Sequence, residues 1–372
     1  MIKYKNVDKV RVVIIGAGVV GLAVAAELSK KNSDIVLLEK ESSFGQHTSS
    51  RNSEIIHAGI YYPKDTLKAR LCVEGKHLLY EFCQKYHIPH QKLGKIIVAT
   101  NHEEIAQLED LNKKAKDNGV EDLVWLTKSQ ITELEPSVKG ELGLFSPSSG
   151  IIDSHSLMKA LEQQAKENGA IVAYNSEVTS ISNDGKNYRI YVNHEEALAT
   201  EVLINCGGLF SDKIAQMVGI NLERYHYRLY YCKGEYFSYR KPSFLKHLVY
   251  PVPEAEIKSL GIHSIIDLSG HLKFGPSAEY VTEVDYQVNP AHRDKFAQAV
   301  QNLFPQVHKE DLLPDQAGIR PKLQGPNQTF RDFVISEESD KGFPGMINLI
   351  GIESPGLTCC LAIARYVCDK LL

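Results

Sequence analysis

The chain has 372 residues, of which 43% are apolar and 24% are charged, a composition typical of a globular protein long enough for two domains. A net charge of -4 argues against a nucleic-acid-binding surface. The seven cysteines are odd in number and include no C-x-x-C pair, so they favour a reducing, cytoplasmic compartment and no metal site.

Residues 10–40 predict a strand, a tight turn, a helix and a second strand. The run VRVVII is typical of a buried strand, and Gly16, Gly18 and Gly21 follow it in the pattern G-x-G-x-x-G before the helix former LAVAAELSKK. Such glycines permit a tight turn, a close approach of a pyrophosphate and close packing of helix on strand. In this context the motif predicts a dinucleotide-binding unit, with the phosphates at the helix N-terminus.

Glu39 lies at the end of the second predicted strand, DIVLLEK. A carboxylate there can hydrogen-bond a ribose 2′-hydroxyl and would repel a 2′-phosphate, which argues against NADP. The uncharged segment Val12 to Ala26 also resembles a signal peptide, but three glycines interrupt it and a second strand pattern follows. The dinucleotide interpretation is therefore favoured.

The middle of the chain resumes the alternation of helix and strand. A helix is predicted over residues 155–167, then the strand IVAYN, a hairpin with Asp184-Gly185 at its turn, and the strand EVLINC, which runs into Gly207-Gly208. Residues 225–278 are rich in tyrosine and β-branched residues, and they predict an antiparallel sheet.

The last third predicts a helix over residues 291–303, a short strand in AGIRPKL, the strands DFVIS and MINLIGI, and a final helix. The fold class is therefore α/β (α+β overall), with a Rossmann-like dinucleotide-binding domain and an inserted, mainly antiparallel β-sheet substrate domain. The predicted bounds are residues 1–85, 145–224 and 315–372 for the first domain, and residues 86–144 and 225–314 for the second.

The final helix has a start that suits a flavin. Ser354 is a predicted N-cap, Pro355 the first helical residue and Gly356 its neighbour, directly after a strand that ends at Gly351. A glycine-lined helix start offers backbone N–H groups and room for a flat ring, and its dipole favours the negative charge of a reduced flavin. The alternative is a capped C-terminal helix without a ligand.

Six segments together resemble the D-amino-acid-oxidase-like FAD oxidoreductases, and among these the L-2-hydroxyglutarate dehydrogenases/oxidases. The segments are IIGAGVVGLAVAAEL, SSRNSEIIHAGIYYPKDTLKARLCVEGKHLLYEFC, INCGGLFSD, KGEYF, AGIRPKL and LIGIESPGLT. The resemblance implies FAD as the cofactor, with its isoalloxazine ring between the two domains. It also implies a set of cofactor-binding residues: Gly16, Gly18, Gly21, Glu39, Lys40, Ser50, Arg51, Asn52, Ser53, Val178, Gly207, Gly208, Gly351, Ser354, Gly356, Leu357 and Thr358.

The segment SSRNSEIIHAGIYYP places polar residues before aromatic ones. By the same resemblance, its polar part binds the pyrophosphate, the ribityl chain and the ring edge, because a planar cation and small hydroxyls suit phosphates and a polyol. His57, Tyr61 and Tyr62 then reach the ring and the substrate cavity. The alternatives are a core role for His57 and an ordinary turn at Asn52-Ser53.

Oxidation of a 2-hydroxy acid needs a carboxylate clamp and a base. Arg320 in AGIRPKL is the candidate clamp, with a structural or FAD-binding arginine as the alternative. His57 and His263 are equal candidates for the base. A second substrate carboxylate would need a second cation, for which the candidates are Lys233, Lys273 and Lys322. Lys233 stands where relatives usually carry arginine. Lysine cannot bind a carboxylate bidentately, so this difference affects which substrate the enzyme takes.

The resemblance implies oxidation of L-2-hydroxyglutarate to 2-oxoglutarate by hydride transfer to flavin N5. The alternatives are a related flavin oxidoreductase acting on glycerol 3-phosphate or an amino acid, a non-catalytic flavin-binding protein, and an NAD dehydrogenase. The electron acceptor is oxygen or a quinone, and a quinone would bring peripheral contact with the inner face of a membrane. No basic amphipathic helix supports that contact.

Overall fold

The computed structural model describes residues 8–253 and 261–370. Unit 1 comprises the described residues of segments 1–50, 154–230 and 321–372, and unit 2 those of segments 51–153 and 231–320. No helix in these described ranges is long and apolar enough to cross a membrane.

The described residues form 20 strands and eight α-helices. The strands are β1 Asp8–Ile15, β2 Ile35–Leu38, β3 Ile55–Ile56, β4 His90–Gln91, β5 Lys95–Ala99, β6 Val124–Thr127, β7 Leu142–Ser146, β8 Gly150–Ile152, β9 Ile171–Ala173, β10 Val178–Asn183, β11 Tyr188–Val192, β12 Glu195–Asn205, β13 Tyr230–Tyr239, β14 Leu248–Pro251, β15 His263–Ile266, β16 Leu272–Gly275, β17 Glu279–Val281, β18 Leu312–Lys322, β19 Val334–Glu338 and β20 Phe343–Ile350. The helices are α1 Val19–Leu28, α2 Leu67–Lys85, α3 His102–Asp117, α4 Lys128–Leu134, α5 Ser154–Glu167, α6 Ser211–Val218, α7 Arg293–Gln301 and α8 Gly356–Lys370.

Unit 1 is built on one eight-stranded sheet, in the order β10-β11-β12-β1-β2-β9 with β20 joined to β12 and β19 to β20. The pairs β20/β12, β12/β1, β1/β2 and β2/β9 are parallel, so the carboxyl ends of these strands lie along one edge of the sheet. Helix α1 packs against α5 and α8. The predicted hairpin at Asp184-Gly185 is confirmed as the antiparallel pair β10/β11.

Unit 2 contains a five-stranded sheet, β15-β16-β13-β17 with β18 beside β13, and a four-stranded sheet, β14-β5-β7-β6. Strands β3, β8 and β4 form a third, smaller sheet. Two apolar clusters lie in this unit, one with Ile96, Val98 and Phe237, and one with Ile97 and Tyr236. Consecutive residues of β5 thus serve different clusters, as the alternation of side chains along a strand requires.

Three sequence-based expectations need correction. Residues 225–278 do not form one antiparallel sheet, because β14 pairs in parallel with β5 in the four-stranded sheet. The segment AGIRPKL is not a short strand of its own; it is the end of the 11-residue strand β18. Helix α8 begins at Gly356, so Pro355 precedes it.

The boundary between the units also differs from the predicted one at residues 51–85, which belong to unit 2. Ile55 in β3 pairs with Ile151 in β8, and the neighbouring Ile60 and Tyr61 pack into the same apolar cluster as Ile97. These contacts link residues far apart in sequence, which is why local patterns gave no sign of them.

Candidate active site

The glycine-rich loop in unit 1 follows the carboxyl end of β1 and opens α1. Gly16 has a φ of +104°, and a Cβ there would lie 2.5 Å from the carbonyl oxygen of Cys206. A Cβ at Gly21 would overlap the carbonyl oxygen of Gly16. By contrast, a Cβ at Gly18 would meet only Ser49 Oγ within 4 Å, at 3.0 Å. Gly16 and Gly21 thus serve the packing of the loop, whereas a Cβ at Gly18 would press on a single hydroxyl oxygen.

Glu39 follows β2 on the same edge of the sheet. Its Oε2 accepts a hydrogen bond from the Ala17 backbone at 2.7 Å, and its Oε1 accepts one from the Glu41 backbone at 2.9 Å. The carboxylate is therefore held against the glycine-rich loop, where the sequence placed it.

Two further glycine segments follow parallel strands of this sheet. Gly207 and Gly208 come after β12, and a Cβ at Gly208 would meet nothing within 4 Å. Gly351 follows β20 with a φ of +73° and precedes α8. Because β1, β2, β12 and β20 run parallel, all these loops lie along one edge of the sheet.

The other predicted cofactor residues of unit 1 have varied surroundings. Lys40 Nζ lies 3.7 Å from the centre of the Phe210 ring. Ser50 Oγ donates a hydrogen bond to the Gly45 carbonyl. Val178 is buried in the apolar cluster of unit 1. At the start of α8, Ser354 is exposed, Leu357 is half-buried and Gly356 and Thr358 are buried.

Unit 2 contains Arg51, Asn52 and Ser53, and several contacts hold their side chains in place. The Arg51 guanidinium lies 4.1 Å from the centre of the Tyr286 ring. Asn52 Oδ1 accepts a hydrogen bond from the Glu54 backbone at 2.8 Å, as in the turn considered above. Ser53 Oγ lies 3.0 Å from Tyr236 Oη. A pocket of unit 2 is lined by Asn52, Ser53, Tyr236, Lys273 and Gln316, among others.

A group of polar side chains lies in an otherwise apolar part of unit 2. Side chains alternate along a strand, so Lys95 shares a face of β5 with Ile97, and His263 shares a face of β15 with Ile265. Ile97 and Ile265 both belong to the cluster that contains Tyr61, Tyr236 and Tyr250. We call Lys95, His57, His263, Tyr61, Tyr236 and Tyr250 the polar cluster.

The two histidines of the polar cluster are neutral at physiological pH. Burial is the main cause that lowers the pKa of His57 to about 3, with the nearby Lys95 and His263 acting in the same direction. Burial is also the main cause that lowers the pKa of His263 to about 3, with Lys95 and Arg320 acting in the same direction. Both predicted base candidates thus occur in one environment, in the protonation state that a base requires.

The hydrogen bonds of His263 define its tautomer. Its Nδ1 lies 2.9 Å from the Gly261 carbonyl, which can only accept, so Nδ1 carries the proton and Nε2 keeps its lone pair. The imidazole stacks on the Tyr250 ring at 3.7 Å between centres and 20° between planes. His263 is therefore held in one orientation with a proton-accepting nitrogen.

Arg320 lies on β18 in unit 2, with a guanidinium fixed by two contacts. Nη2 donates a hydrogen bond to the Ser277 carbonyl at 2.8 Å, and Nη1 donates one to Cys232 Sγ at 3.2 Å. A Cβ at Gly234 would lie 2.7 Å from Nη2, so glycine leaves room for the guanidinium. Arg320 contributes to the low pKa of His263, which places its charge near the polar cluster.

The three lysines predicted as a second substrate cation all have carboxylate partners in the protein. Lys233 Nζ lies 2.6 Å from Asp285 and donates to the Gln287 carbonyl at 2.5 Å. Lys273 pairs with Asp315 at 2.8 Å, and Lys322 pairs with Glu353 at 3.4 Å. These charges are already compensated within the chain.

Sequence reasoning missed Lys95. This residue opens the apolar run KIIVA, and its side chain is 0% exposed. Among the side chains that the structure describes, its Nζ is buried with no hydrogen-bond partner. Burial lowers the pKa of Lys95 to about 7, because the charged form loses its hydration. A lysine at the start of a wholly apolar strand was the available signal.

A sequence model of the family described as FAD dependent oxidoreductase matches residues 11–370. The chain belongs to the FAD-dependent oxidoreductase family. It is therefore an FAD-dependent dehydrogenase or oxidase, and the predicted cofactor and enzyme class are confirmed. The predicted fold class is confirmed as well, by the mixed α/β architecture and its match to a solved flavoprotein.

Relatives of this FAD-dependent oxidoreductase carry two different substrate names. The mitochondrial L-2-hydroxyglutarate dehydrogenase of Arabidopsis thaliana is 39% identical, over 98% of this chain and 84% of its own. The glycerol 3-phosphate dehydrogenase of Caloramator mitchellensis is 32% identical, over 97% of this chain and 73% of its own. The solved structure of dithionite-reduced L-alpha-glycerophosphate oxidase from Mycoplasma pneumoniae with FAD bound has a TM-score of 0.87 and 28% identity, over 96% of this chain and 93% of that one.

The residues of unit 1 fit the phosphates of FAD. The space beside Gly18 and Gly208 would be filled by a Cβ, and α1 has no acidic residue in its first turn. The Val19 N–H at the start of α1 donates a hydrogen bond to Ser49 Oγ at 3.0 Å. The dipole of the helix favours a diphosphate at this end. The roles of individual residues, and the place of the isoalloxazine ring, stay predictions.

We expect Gly18→Ala to weaken FAD binding. The added methyl group would occupy the space that the pyrophosphate needs, and such overpacking costs about 1–3 kcal/mol, or a rise in dissociation constant of roughly 5- to 150-fold. FAD titration of apoprotein with the flavin absorbance as readout measures it. Gly185→Ala is the control: a Cβ there would meet nothing within 4 Å, but the φ of +89° strains the β10/β11 turn, so this variant shows the effect of local backbone strain alone and should bind FAD as the parent does. Equal affinity in Gly18→Ala would remove this loop from the cofactor site.

Proposed function

We propose that this FAD-dependent oxidoreductase oxidises L-2-hydroxyglutarate to 2-oxoglutarate. The observation that carries the proposal is the presence, in one unit, of a fixed guanidinium on Arg320, a neutral and oriented imidazole on His263, and the buried ammonium of Lys95. A carboxylate clamp and a base are what oxidation of a 2-hydroxy acid requires. The similarity to the Arabidopsis thaliana dehydrogenase supports the same substrate.

Bound FAD supplies the two-electron acceptor for a hydride from the substrate α-carbon. In this proposal Arg320 binds the carboxylate next to the hydroxyl group. Arginine presents parallel N–H donors in a rigid plane, so it fixes the direction of a carboxylate as well as its position. The contacts to Ser277 and Cys232 hold that plane before substrate arrives, which lowers the entropy lost on binding.

His263 takes the hydroxyl proton at Nε2 in this proposal. Its pKa of about 3 makes it a weak base in the free enzyme, and part of that depression comes from Lys95 and Arg320. A substrate carboxylate beside Arg320 offsets one of these charges and raises the pKa of His263. Substrate binding would thus strengthen the base at the moment when it is needed.

Glycerol 3-phosphate is the second candidate substrate. Relatives named for that substrate resemble this chain in sequence and in structure. A phosphate dianion would bind to the same cationic side chains, so these side chains alone do not distinguish the two substrates. The group next to the reacting alcohol distinguishes them, because a hydroxy acid carries a carboxylate on the reacting carbon and glycerol 3-phosphate does not.

We expect L-2-hydroxyglutarate to bleach the flavin absorbance of the purified holoenzyme in the absence of oxygen. Glycerol 3-phosphate and glycine at equal concentrations should leave the spectrum oxidised, because neither offers a carboxylate next to a hydroxyl group. Without oxygen the reduced flavin is not reoxidised, so the spectrum reports only whether the substrate reduces it. Bleaching by glycerol 3-phosphate alone would replace the proposed function with the second candidate.

Arg320→Lys should raise the KM for L-2-hydroxyglutarate and slow flavin reduction together, because lysine keeps the charge but loses the planar pair of donors. Arg320→Ala should lose more, on the order of 2–5 kcal/mol in kcat/KM, as expected for removal of one partner of a buried charge pair. Stopped-flow reduction over a range of substrate concentrations measures both. Parental kinetics in Arg320→Ala would end the clamp assignment.

His263→Ala should slow flavin reduction at saturating substrate by roughly 10²–10⁴-fold, the usual effect of losing a general base. FAD content and the far-ultraviolet spectrum check that the loss of stacking on Tyr250 leaves the protein folded. His57→Ala is the comparison, with a smaller expected effect. A larger loss in His57→Ala than in His263→Ala would assign the base to His57.

A further inference from the structure

The buried lysines of unit 2 differ in how their charge is compensated. Lys233 lies beside Asp285, and Lys76 Nζ donates a hydrogen bond to Ser148 Oγ at 2.9 Å with Asp122 nearby. Within the described ranges the only group that raises the pKa of Lys95 is the Cys72 thiol, no carboxylate does so, and Nζ has no hydrogen-bond partner. An isolated buried ammonium is costly, so Lys95 loses its proton near neutral pH, with a pKa of about 7, and a bound anion would restore the charged form.

The neighbours of Lys95 are aromatic rings that cannot serve as that anion. Nζ lies 4.6 Å from the centre of the Tyr61 ring and 4.9 Å from the centre of the Tyr250 ring. Such ring faces attract a cation by about 0.5–2 kcal/mol, which is less than a counter-ion gives. The rings therefore hold the ammonium in place without compensating its charge.

The same two tyrosines add hydrogen-bond donors to the site. In the part of the chain that the structure describes, the hydroxyl groups of Tyr61 and Tyr250 are buried without a hydrogen-bond partner. Burial raises the pKa of both phenols, so both keep their protons and can donate. Within the described ranges these two hydroxyl groups and the Lys95 amine are buried and lack acceptors, a set of donors that suits a ligand that only accepts and is negatively charged.

We propose that Lys95, with the hydroxyl groups of Tyr61 and Tyr250, binds the second carboxylate of a dicarboxylic 2-hydroxy acid. This inference rests on the proposed function, in which Arg320 binds the first carboxylate. It makes Lys95 the residue that selects a dicarboxylate over a monocarboxylate of the same length. A carboxylate has four acceptor sites, enough for all three donors.

The position of His263 is consistent with a substrate held at both ends. Lys95 and Arg320 both lower its pKa, so both cations lie near its ring. A carboxylate bound to each cation would cancel the effects of Lys95 and Arg320 on the pKa of His263. A substrate with a single carboxylate would leave one charge uncompensated, bind more weakly and leave His263 a poorer base.

The test compares L-2-hydroxyglutarate with L-2-hydroxyvalerate, which has the same chain length and a methyl group in place of the second carboxylate. In the holoenzyme, Lys95→Met should lower kcat/KM for L-2-hydroxyglutarate at least about 30-fold, as for removal of one partner of a buried charge pair. The ratio of kcat/KM for the two substrates should fall by a similar factor. Lys76→Met, which removes another buried lysine of unit 2, is the matched control and should leave the ratio unchanged.

Calorimetric titration with glutarate and with valerate measures the site without turnover. The parent should bind glutarate more tightly than valerate, and Lys95→Met should lose this difference. Methionine is a close match in length and apolar character, so the thermal unfolding temperature of Lys95→Met at pH 7 should equal or exceed that of the parent. Lys95→Arg, which keeps a charge in a larger side chain, should retain part of the preference for glutarate.

The outcomes separate this inference from the proposed function. If L-2-hydroxyglutarate fails to reduce the parent flavin but glutarate binding still depends on Lys95, the proposed function is wrong and the carboxylate site stands. If L-2-hydroxyglutarate reduces the parent and Lys95→Met with equal kcat/KM, the function stands and the site is wrong. If Lys95→Met slows both hydroxy acids by the same factor and binds glutarate as the parent does, Lys95 acts in proton transfer and the inference is overturned.

Discussion

The close approach of backbone segments around Gly16 is the constraint on which unit 1 depends. Gly16 packs against the carbonyl of Cys206, and Gly21 packs against Gly16 itself, so the loops after β1 and β12 touch with no side chain between them. This contact fixes where α1 begins, and with it the direction of its positive end. The carboxylate of Glu39 closes the same loop through the Ala17 backbone. Packing, and not flexible side chains, thus sets the direction of the backbone N–H groups in this loop, where the phosphates of FAD are predicted to bind.

Unit 2 differs from unit 1 because its polar cluster lies within an apolar core. Tyr61, Lys95, Tyr250 and His263 replace apolar side chains on strand faces and neighbouring segments that otherwise carry isoleucine, leucine and alanine. Burial of such groups lowers stability unless each finds a partner, so a core does not retain them for its own sake. Stability sacrificed in this way is a common feature of sites that bind charged ligands. The stacking of His263 on Tyr250 keeps the cluster ordered despite that cost.

Local patterns in the sequence predicted much of unit 1, and the sequence also pointed to His57, His263 and Tyr61 of the polar cluster, but it gave no role to Lys95, Tyr236 or Tyr250. The β-branched runs, the glycine spacing and the Asp184-Gly185 turn each specify structure within a few residues, and the structure follows them. The parallel pairing of β14 with β5 and the inclusion of residues 51–85 in unit 2 depend on contacts between distant segments. Lys95 was missed for the same reason. Its strand pattern is visible, but the surroundings of its side chain include Tyr61 and Tyr250, which come from other parts of the chain.

The chain passes between the two units four times, near residues 50, 153, 230 and 320. Neither unit is therefore continuous in sequence, and the sheet of unit 1 receives β20 and its partner β19 only from the last segment. During synthesis on the ribosome, the carboxyl end of β12 would lack its partner β20 and α1 would lack α8 until the C-terminal residues emerge. Such intermediates expose strand edges and apolar surface, which makes nascent chains dependent on chaperones. A premature stop after β18 would remove β19, β20 and α8 and leave the sheet of unit 1 incomplete, so loss of residues 323–372 should prevent formation of the flavoprotein.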